Sequence, residues 1–435
     1  MLKHIALVLL TGILLSCAGA PFSRVDGALD SGDYAQSAAL VEKHKKALYK
    51  NQDAILYYLD KGLLTHYAGQ YQDSSKLLED GEKAIEAAFT KSVTMAIGSY
   101  LVNDTVKEYD GEDYEDIYLN VFNALNYYHR GNIDEAMVEI RRMNNKIQFL
   151  SSKYGVITSN LQKKALEESA EIPADTKGEM RFSDSALARY LGLLFYRGTG
   201  RYDDARIDQD HLKIAFANAP GVYTFPLPSS IDDELEIPKG KARVNVLAFG
   251  GLSPAKEEET LRIPLSSFNY VKIALPVLAE RPSMIKSVEL VIENGPAFEL
   301  ELLEDIEAVA RETFKKKQDV IYLKTIIRAT MKGLTSTALD AAASQEDVGG
   351  AAALILSILS LGNKIYSEAS EQADLRISRY FPGRAYIGGI NLDPGAYSFT
   401  VNYRDASGRP LASFRRENIM VYENALNLVE AVCLK

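Results

Sequence analysis

Gly32-Asp33-Tyr34-Ala35-Gln36-Ser37 is the first of four copies of one short pattern, and its reading decides the fold of the first half of the chain. The others are Gly69-Gln70-Tyr71-Gln72-Asp73-Ser74, Gly131-Asn132-Ile133-Asp134-Glu135-Ala136 and Gly200-Arg201-Tyr202-Asp203-Asp204-Ala205. Each has a glycine, a large residue two positions later and a small residue five positions later. A glycine closing a helix accepts the left-handed conformation that other residues resist. The large residue then starts a second helix, and the small one lets the two helices approach. Flanking sequence agrees: before Gly131, Tyr114, Ile117, Tyr118, Val121, Phe122, Leu125 and Tyr128 follow helical spacing on one face. Before Gly69, Ile55, Leu56, Leu59, Leu63 and Leu64 do likewise. Residues 17–219 are therefore expected to form an array of helical hairpins.

The pattern resembles tetratricopeptide repeats, helix-turn-helix units that recur every 34 residues. Here the glycines stand 37, 62 and 69 residues apart. The longer gaps are expected to hold extra helices, such as 84–101, and polar loops, such as 168–180. Stacked hairpins make a continuous curved surface, which usually binds peptides or proteins. Tyr127, Tyr128, Arg141 and Arg142 are candidate partner-binding residues on it. For the tyrosines the competing reading is packing between helices. For the arginines it is pairing with Glu139 and Asp134 on a solvated face.

After Pro220 the texture changes. Prolines 220, 226, 228 and 238, with Asp232-Asp233-Glu234, mark a linker over 220–240. Beyond it, Val244 and Val246 alternate with Arg243 and Asn245, and Val288, Leu290 and Ile292 with Ser287, Glu289 and Glu293. Phe298, Leu300 and Leu302 alternate with Glu299 and Glu301, and Tyr397, Phe399, Val401 and Tyr403 with Ser398, Thr400 and Asn402. Asn294-Gly295 is a hairpin signal, because both positions tolerate positive φ, and Ser407-Gly408 marks a return turn. One polar and one apolar face per sheet suggests an antiparallel, sandwich-like module over 241–435. Helices are expected to interrupt it at about 303–372, beginning with the stripe Ile306, Val309, Ala310, Thr313 and Phe314. The apolar run 349–362 is too short to span a bilayer, and reads as a buried helix or as a hairpin touching membrane or partner. The fold class is thus α+β: a TPR-like hairpin array followed by a β-rich domain with inserted helices.

The N-terminus, MLKHIALVLLTGILLSC, joins a short basic start to an apolar run far shorter than a spanning helix needs. Leu14-Leu15-Ser16-Cys17 resembles the lipobox of exported lipoproteins, in which the leader, here 1–16, is removed and the cysteine, here Cys17, carries the lipid. An ordinary secretory leader ending by chance in a cysteine is the other reading. Ala18 in place of Asp resembles the outer-membrane form of the enterobacterial sorting rule, which implies a body facing the periplasm. A formal net charge of −10 disfavours attraction to nucleic acid or to anionic lipid, so a lipid anchor is left to supply membrane attachment. If Cys17 is lipidated, Cys433 has no disulfide partner, and its apolar surroundings fit burial in a terminal strand better than a reactive thiol.

Histidines 4, 44, 66, 129 and 211 lie in no HExxH or paired-cysteine setting, and no G-x-S-x-G or phosphate loop occurs. Asp203-Asp204 and Asp232-Asp233 read as solvated turns, with acid–base chemistry as the alternative. No catalytic residue, metal site or cofactor is expected. Five segments, Tyr109–Glu115, Ala124–Tyr128, Val138–Arg142, Phe249–Lys256 and Glu371–Arg376, are together similar to an uncharacterised family of repeat-containing bacterial lipoproteins. The resemblance spans most of the mature chain, transfers no catalytic residue, and implies assembly with other small envelope lipoproteins. The expected function is a non-enzymatic, lipid-anchored envelope scaffold that binds protein partners. A regulator of peptidoglycan synthesis or of outer-membrane export is the second reading, and a hydrolase using the acidic linker the third.

Overall fold

The computed structural model describes residues 20–94, 104–167, 182–266, 269–331 and 372–435. The leader, Cys17, residues 95–101 of the helix expected over 84–101, the loop 168–180 and the run 349–362 lie outside the described residues.

Four helical hairpins form at the four glycines. They pair α1 (Ala20–Asp30) with α2 (Tyr34–Lys43), and, after the short α3 (Lys45–Leu48), α4 (Ala54–Tyr67) with α5 (Tyr71–Thr94). Next come α6 (Asp113–His129) with α7 (Ile133–Lys153), then α8 (Gly155–Glu167), and finally α9 (Ala186–Gly198) with α10 (Tyr202–Asn218). Gly32, Gly69, Gly131 and Gly200 all have φ between 74 and 78°. Each glycine N–H bonds the carbonyl three residues back, and the next N–H bonds the carbonyl five back, as in Asn132 to Tyr127 at 2.9 Å. These bonds satisfy the last carbonyls of the first helix. The second helix begins at the large residue every time. The small residue is buried every time, as Ser37, Ser74, Ala136 and Ala205. Ser74 Oγ donates to the Gly62 carbonyl of the facing helix at 2.8 Å.

Among the described residues the strands form two four-stranded sheets and a separate hairpin. The inner sheet has the order β10 (Asn427–Cys433), β1 (Ala242–Gly250), β7 (Arg384–Leu392), β6 (Glu301–Asp305), with β1 and β10 parallel and the rest antiparallel. The outer sheet is antiparallel throughout: β5 (Ala297–Glu299), β4 (Ser287–Ile292), β8 (Gly395–Arg404), β9 (Pro410–Val421). The remaining pair, β2 (Ala255–Ser266) and β3 (Asn269–Ala279), stands alone, and α11 (Ile306–Met331) follows β6. The long β2–β3 hairpin has no counterpart among the strands read from sequence, because Lys256-Glu257-Glu258-Glu259 shows no apolar alternation.

Three layers result: helices, inner sheet, outer sheet. Ala242, Val244, Val246 and Ala248 of β1 pack with Val288, Leu290, Phe399 and Val401 of the outer sheet. Leu247 and Phe249, on the other face of β1, belong to the core shared with the helices. The polar face expected for this strand is therefore not at solvent. Arg243 and Asn245 are buried against the helical side, where Asn245 Nδ2 donates to the Tyr190 hydroxyl at 2.9 Å. The alternation at 298–302 also needs correction, since it is not one strand. Leu300 N–H bonds the Val288 carbonyl at 2.7 Å, after which the chain leaves the outer sheet and joins the inner one. Gly388 makes room for this corner: a Cβ there would stand 2.6 Å from Leu300 Cδ2 and 2.8 Å from Phe298 Cε2. Residues 220–240 form a packed strap, with Val222, Tyr223, Ile231 and Glu234 buried.

Candidate functional site

The acidic loop Tyr109-Asp110-Gly111-Glu112-Asp113 leads into α6 and caps it. The Glu112 N–H donates to Glu115 Oε2 at 2.9 Å, and Asp113 and Asp116 put acidic side chains in the first helical turn. Gly111 turns the loop at φ 80°, where a Cβ would crowd Ile85 at 3.1 Å. Three lysines from three separate elements converge on this loop. Lys317 Nζ of α11 donates to Asp110 Oδ1 (2.7 Å), the Gly111 carbonyl (2.6 Å) and Glu112 Oε1 (3.0 Å). Lys256 of β2 donates to Glu112 Oε1 at 2.6 Å with its side chain 3% exposed, and Lys153 of α7 to Asp113 Oδ1 at 2.6 Å.

A cavity of about 340 Å³ lies beside these pairs, within the size range of ligand pockets. Lys153, Lys256, Lys317, Asp110 and Glu112 line one side, and Phe89, Ile157, Ala274, Pro276 and Val320 supply apolar wall. Arg376 closes another side, donating to Asp53 Oδ1 (3.0 Å), Asp374 Oδ2 (2.7 Å) and the carbonyls of Asp104 and Lys107. Lys324 stands 3.5 Å from Asp104. Burial pushes the Lys317 ammonium down, but Asp110 and Glu112 override it and hold the group well above the usual lysine value. Behind the loop, burial and then Glu112 push the Glu115 carboxyl up to about 7, against bonds from Glu112 N–H, Ser378 N–H and the Tyr109 hydroxyl. Lys153, Lys256, Lys317 and Arg376 are each held by a carboxylate from another part of the chain. The arrangement is suited to recognising a charged ligand segment with an apolar portion.

The residues singled out from sequence lie elsewhere. The Tyr127 hydroxyl donates to Glu79 at 2.9 Å, and the Tyr128 hydroxyl receives the Leu428 N–H of β10 at 3.1 Å. Arg142 pairs with Glu82 and Glu139, Arg141 is exposed, and none of the four lines the cavity. Of the linker acids, Glu234 is buried between Arg197 and Arg243, and Asp232 pairs with Lys213. Cys433 is buried in β10. Three of the five quoted segments do meet here: Asp110–Glu112, Lys256, and Gln372–Asp374 with Arg376 all line the cavity. Lys317 and Lys324 were not singled out, although a signal existed. They fall in register with Ala310, Thr313 and Val320, so they put lysines on the buried stripe of a helix.

The first helix of every hairpin faces the chain's own C-terminal half. Tyr34 of α2 joins them, donating to the Val432 carbonyl at 3.1 Å. Tyr67 of α4 donates to the Tyr380 carbonyl at 3.0 Å, and Tyr118 of α6 to Glu304. Arg197 of α9 bonds Asn245 at 2.5 Å, and Asp26 of α1 accepts from Arg379 at 2.9 Å. The inner surface of the array is thus covered from within. No family model matches this chain, and neither a curated protein nor a solved structure matches it.

Proposed function

We propose that this chain is a non-enzymatic, lipid-anchored envelope protein that engages a partner at the cavity, with TPR-like hairpins as its support. One observation carries the reading. The inner surface by which a hairpin array would grip a partner is filled by the chain's own sheet, while a pocket-sized cavity lies at the ionic corner between loop 104–112, α11 and the β2–β3 hairpin. Its lysines and carboxylates are fixed by opposite charges, which suits pre-organised binding better than proton transfer. Membrane attachment is assigned to Cys17, which closes the lipobox-like Leu14-Leu15-Ser16-Cys17, since the body is acidic. The similarity to repeat-containing lipoproteins fits the same reading.

Crosslinked pull-down of the full-length protein from cell envelopes tests it, with Lys324→Glu as the cavity variant. Wild type is expected to recover envelope proteins that the variant loses. Equal recovery by both would remove the cavity from the proposal. Recovery of nothing, with turnover of a glycan or peptide by purified protein, would defeat the whole reading. Cys17→Ser is expected to leave the membrane fraction, and unchanged fractionation contradicts the anchor.

A further inference from the structure

The last strand is tied to the helices by a hydrogen-bond chain that fixes the protonation of one buried histidine. Ser74 Oγ spends its proton on the Gly62 carbonyl at 2.8 Å, so it can only accept from Asn126 Nδ2, at 2.9 Å. That bond turns Asn126 Oδ1 toward His66 Nδ1, at 2.7 Å, and an amide oxygen only accepts. The other ring nitrogen, Nε2, meets Glu430 Oε1 at 2.7 Å. Both ring nitrogens of His66 therefore face acceptors, and only an imidazolium donates from both. The second Glu430 oxygen takes His129 Nε2 at 2.6 Å, and the Tyr71 ring stacks on His129 at 4.2 Å.

We propose that His66 is held as an imidazolium, and that His66, Glu430 and His129 form a pH-dependent clasp fastening β10 onto the second and third hairpins. The His66 side chain is 1% exposed and that of Glu430 10%, so the charges meet away from bulk water, where attraction is strong. The other titratable groups acting here are Tyr34 of α2, Tyr67 of α4, Tyr71 of α5, Tyr128 of α6, Tyr403 of β8, Arg416 of β9 and Cys433 of β10. Burial pushes the six tyrosine and cysteine groups Tyr34, Tyr67, Tyr71, Tyr128, Tyr403 and Cys433 upward, so they stay neutral across the range in which the clasp titrates.

Burial pushes the imidazole down and the carboxyl up, and their attraction overrides both. His66 ends above its ordinary 6.5 and Glu430 below its ordinary 4.5. The His66 contribution is complete below pH 6.5 and fades as pH rises through its folded value. The Glu430 contribution is complete above pH 4.5 and fades as pH falls through its folded value. The clasp is thus tightest between about pH 4.5 and 6.5.

Proton–nitrogen NMR of the histidine side chains, on the full chain from pH 5 to 9, tests the charge directly. His66 is expected to show two ring N–H protons and imidazolium nitrogen shifts at pH 7, and a neutral tautomer there overturns the proposal. The melting-temperature gap between wild type and Glu430→Gln should be widest inside the window and narrow on both sides. A gap independent of pH overturns the clasp. His129→Gln, at a more exposed position, should lower the melting temperature less and keep the alkaline loss. Absence of that alkaline loss would count against His66 as the titrating group.

Discussion

Around Phe122 of α6 the contact between helices and inner sheet is aromatic; where α11 and the β2–β3 hairpin meet loop 107–113, it is ionic. Phe122 of α6 lies within 6.1 Å, ring centroid to centroid, of His66, Tyr67, Phe249 and Phe381, drawn from three distant parts of the chain. Such packing gains from apolar burial and specific ring geometry, and it leaves no room for a guest. The ionic corner gains less from closing. Each ammonium and carboxylate loses hydration there, and mutual attraction only offsets that loss. The fold closes its aromatic side around Phe122 and keeps a lined cavity on its ionic side.

The contrast breaks first at Phe122. Phe122→Ala is expected to cost about 3–5 kcal/mol in denaturant unfolding, because a fully buried ring leaves a void that its neighbours cannot fill. A loss below that of a cavity-lining substitution would refute the division. Next is Glu115, behind the ionic corner. Its carboxyl, raised to about 7, favours the folded state when protonated, so unfolding free energy should fall on the order of 3 kcal/mol as pH rises from 4.5 through 7. Carbon NMR of the Glu115 carboxyl checks the assignment, and titration near 4.5 would show that burial there is weaker than described. Lys317→Met should then cost about 1–3 kcal/mol, since Glu112 keeps Lys256 when its second cation goes. Chemical denaturation that showed a loss as large as Phe122→Ala would make the corner a second core. Smallest is Gly131→Ala, at about 1–2 kcal/mol. Open space surrounds a Cβ at that position, so the cost is backbone strain alone. An unchanged melting temperature would mean the turn relaxes out of the left-handed region.

The helical half was legible because its signals are local. A glycine at a helix end, an apolar stripe at helical spacing and a small residue facing the previous helix all act within about ten residues. The hairpins at Asn294-Gly295 and Ser407-Gly408 were legible for the same reason, as positive φ at Asn294 and Gly408 attests. The cavity was only half legible. Asp110, Glu112, Lys256 and Arg376 lie within segments that stood out, but nothing in the sequence said that they meet.

By itself, then, the sequence determined where the four helical hairpins and the turns at Asn294 and Gly408 fall, because those choices follow from backbone conformation and side-chain period over short stretches. Tertiary structure alone decided that the inner sheet lies between two layers, which turned Arg243 and Asn245 inward, and that residues 297–305 serve two sheets. It alone decided that Glu430 meets His66, 364 positions earlier. The physical reason is one of range. Local conformation is fixed by neighbours along the chain, whereas burial, ionic pairing and the charge on a histidine are fixed by whichever distant groups the closed layers bring into contact.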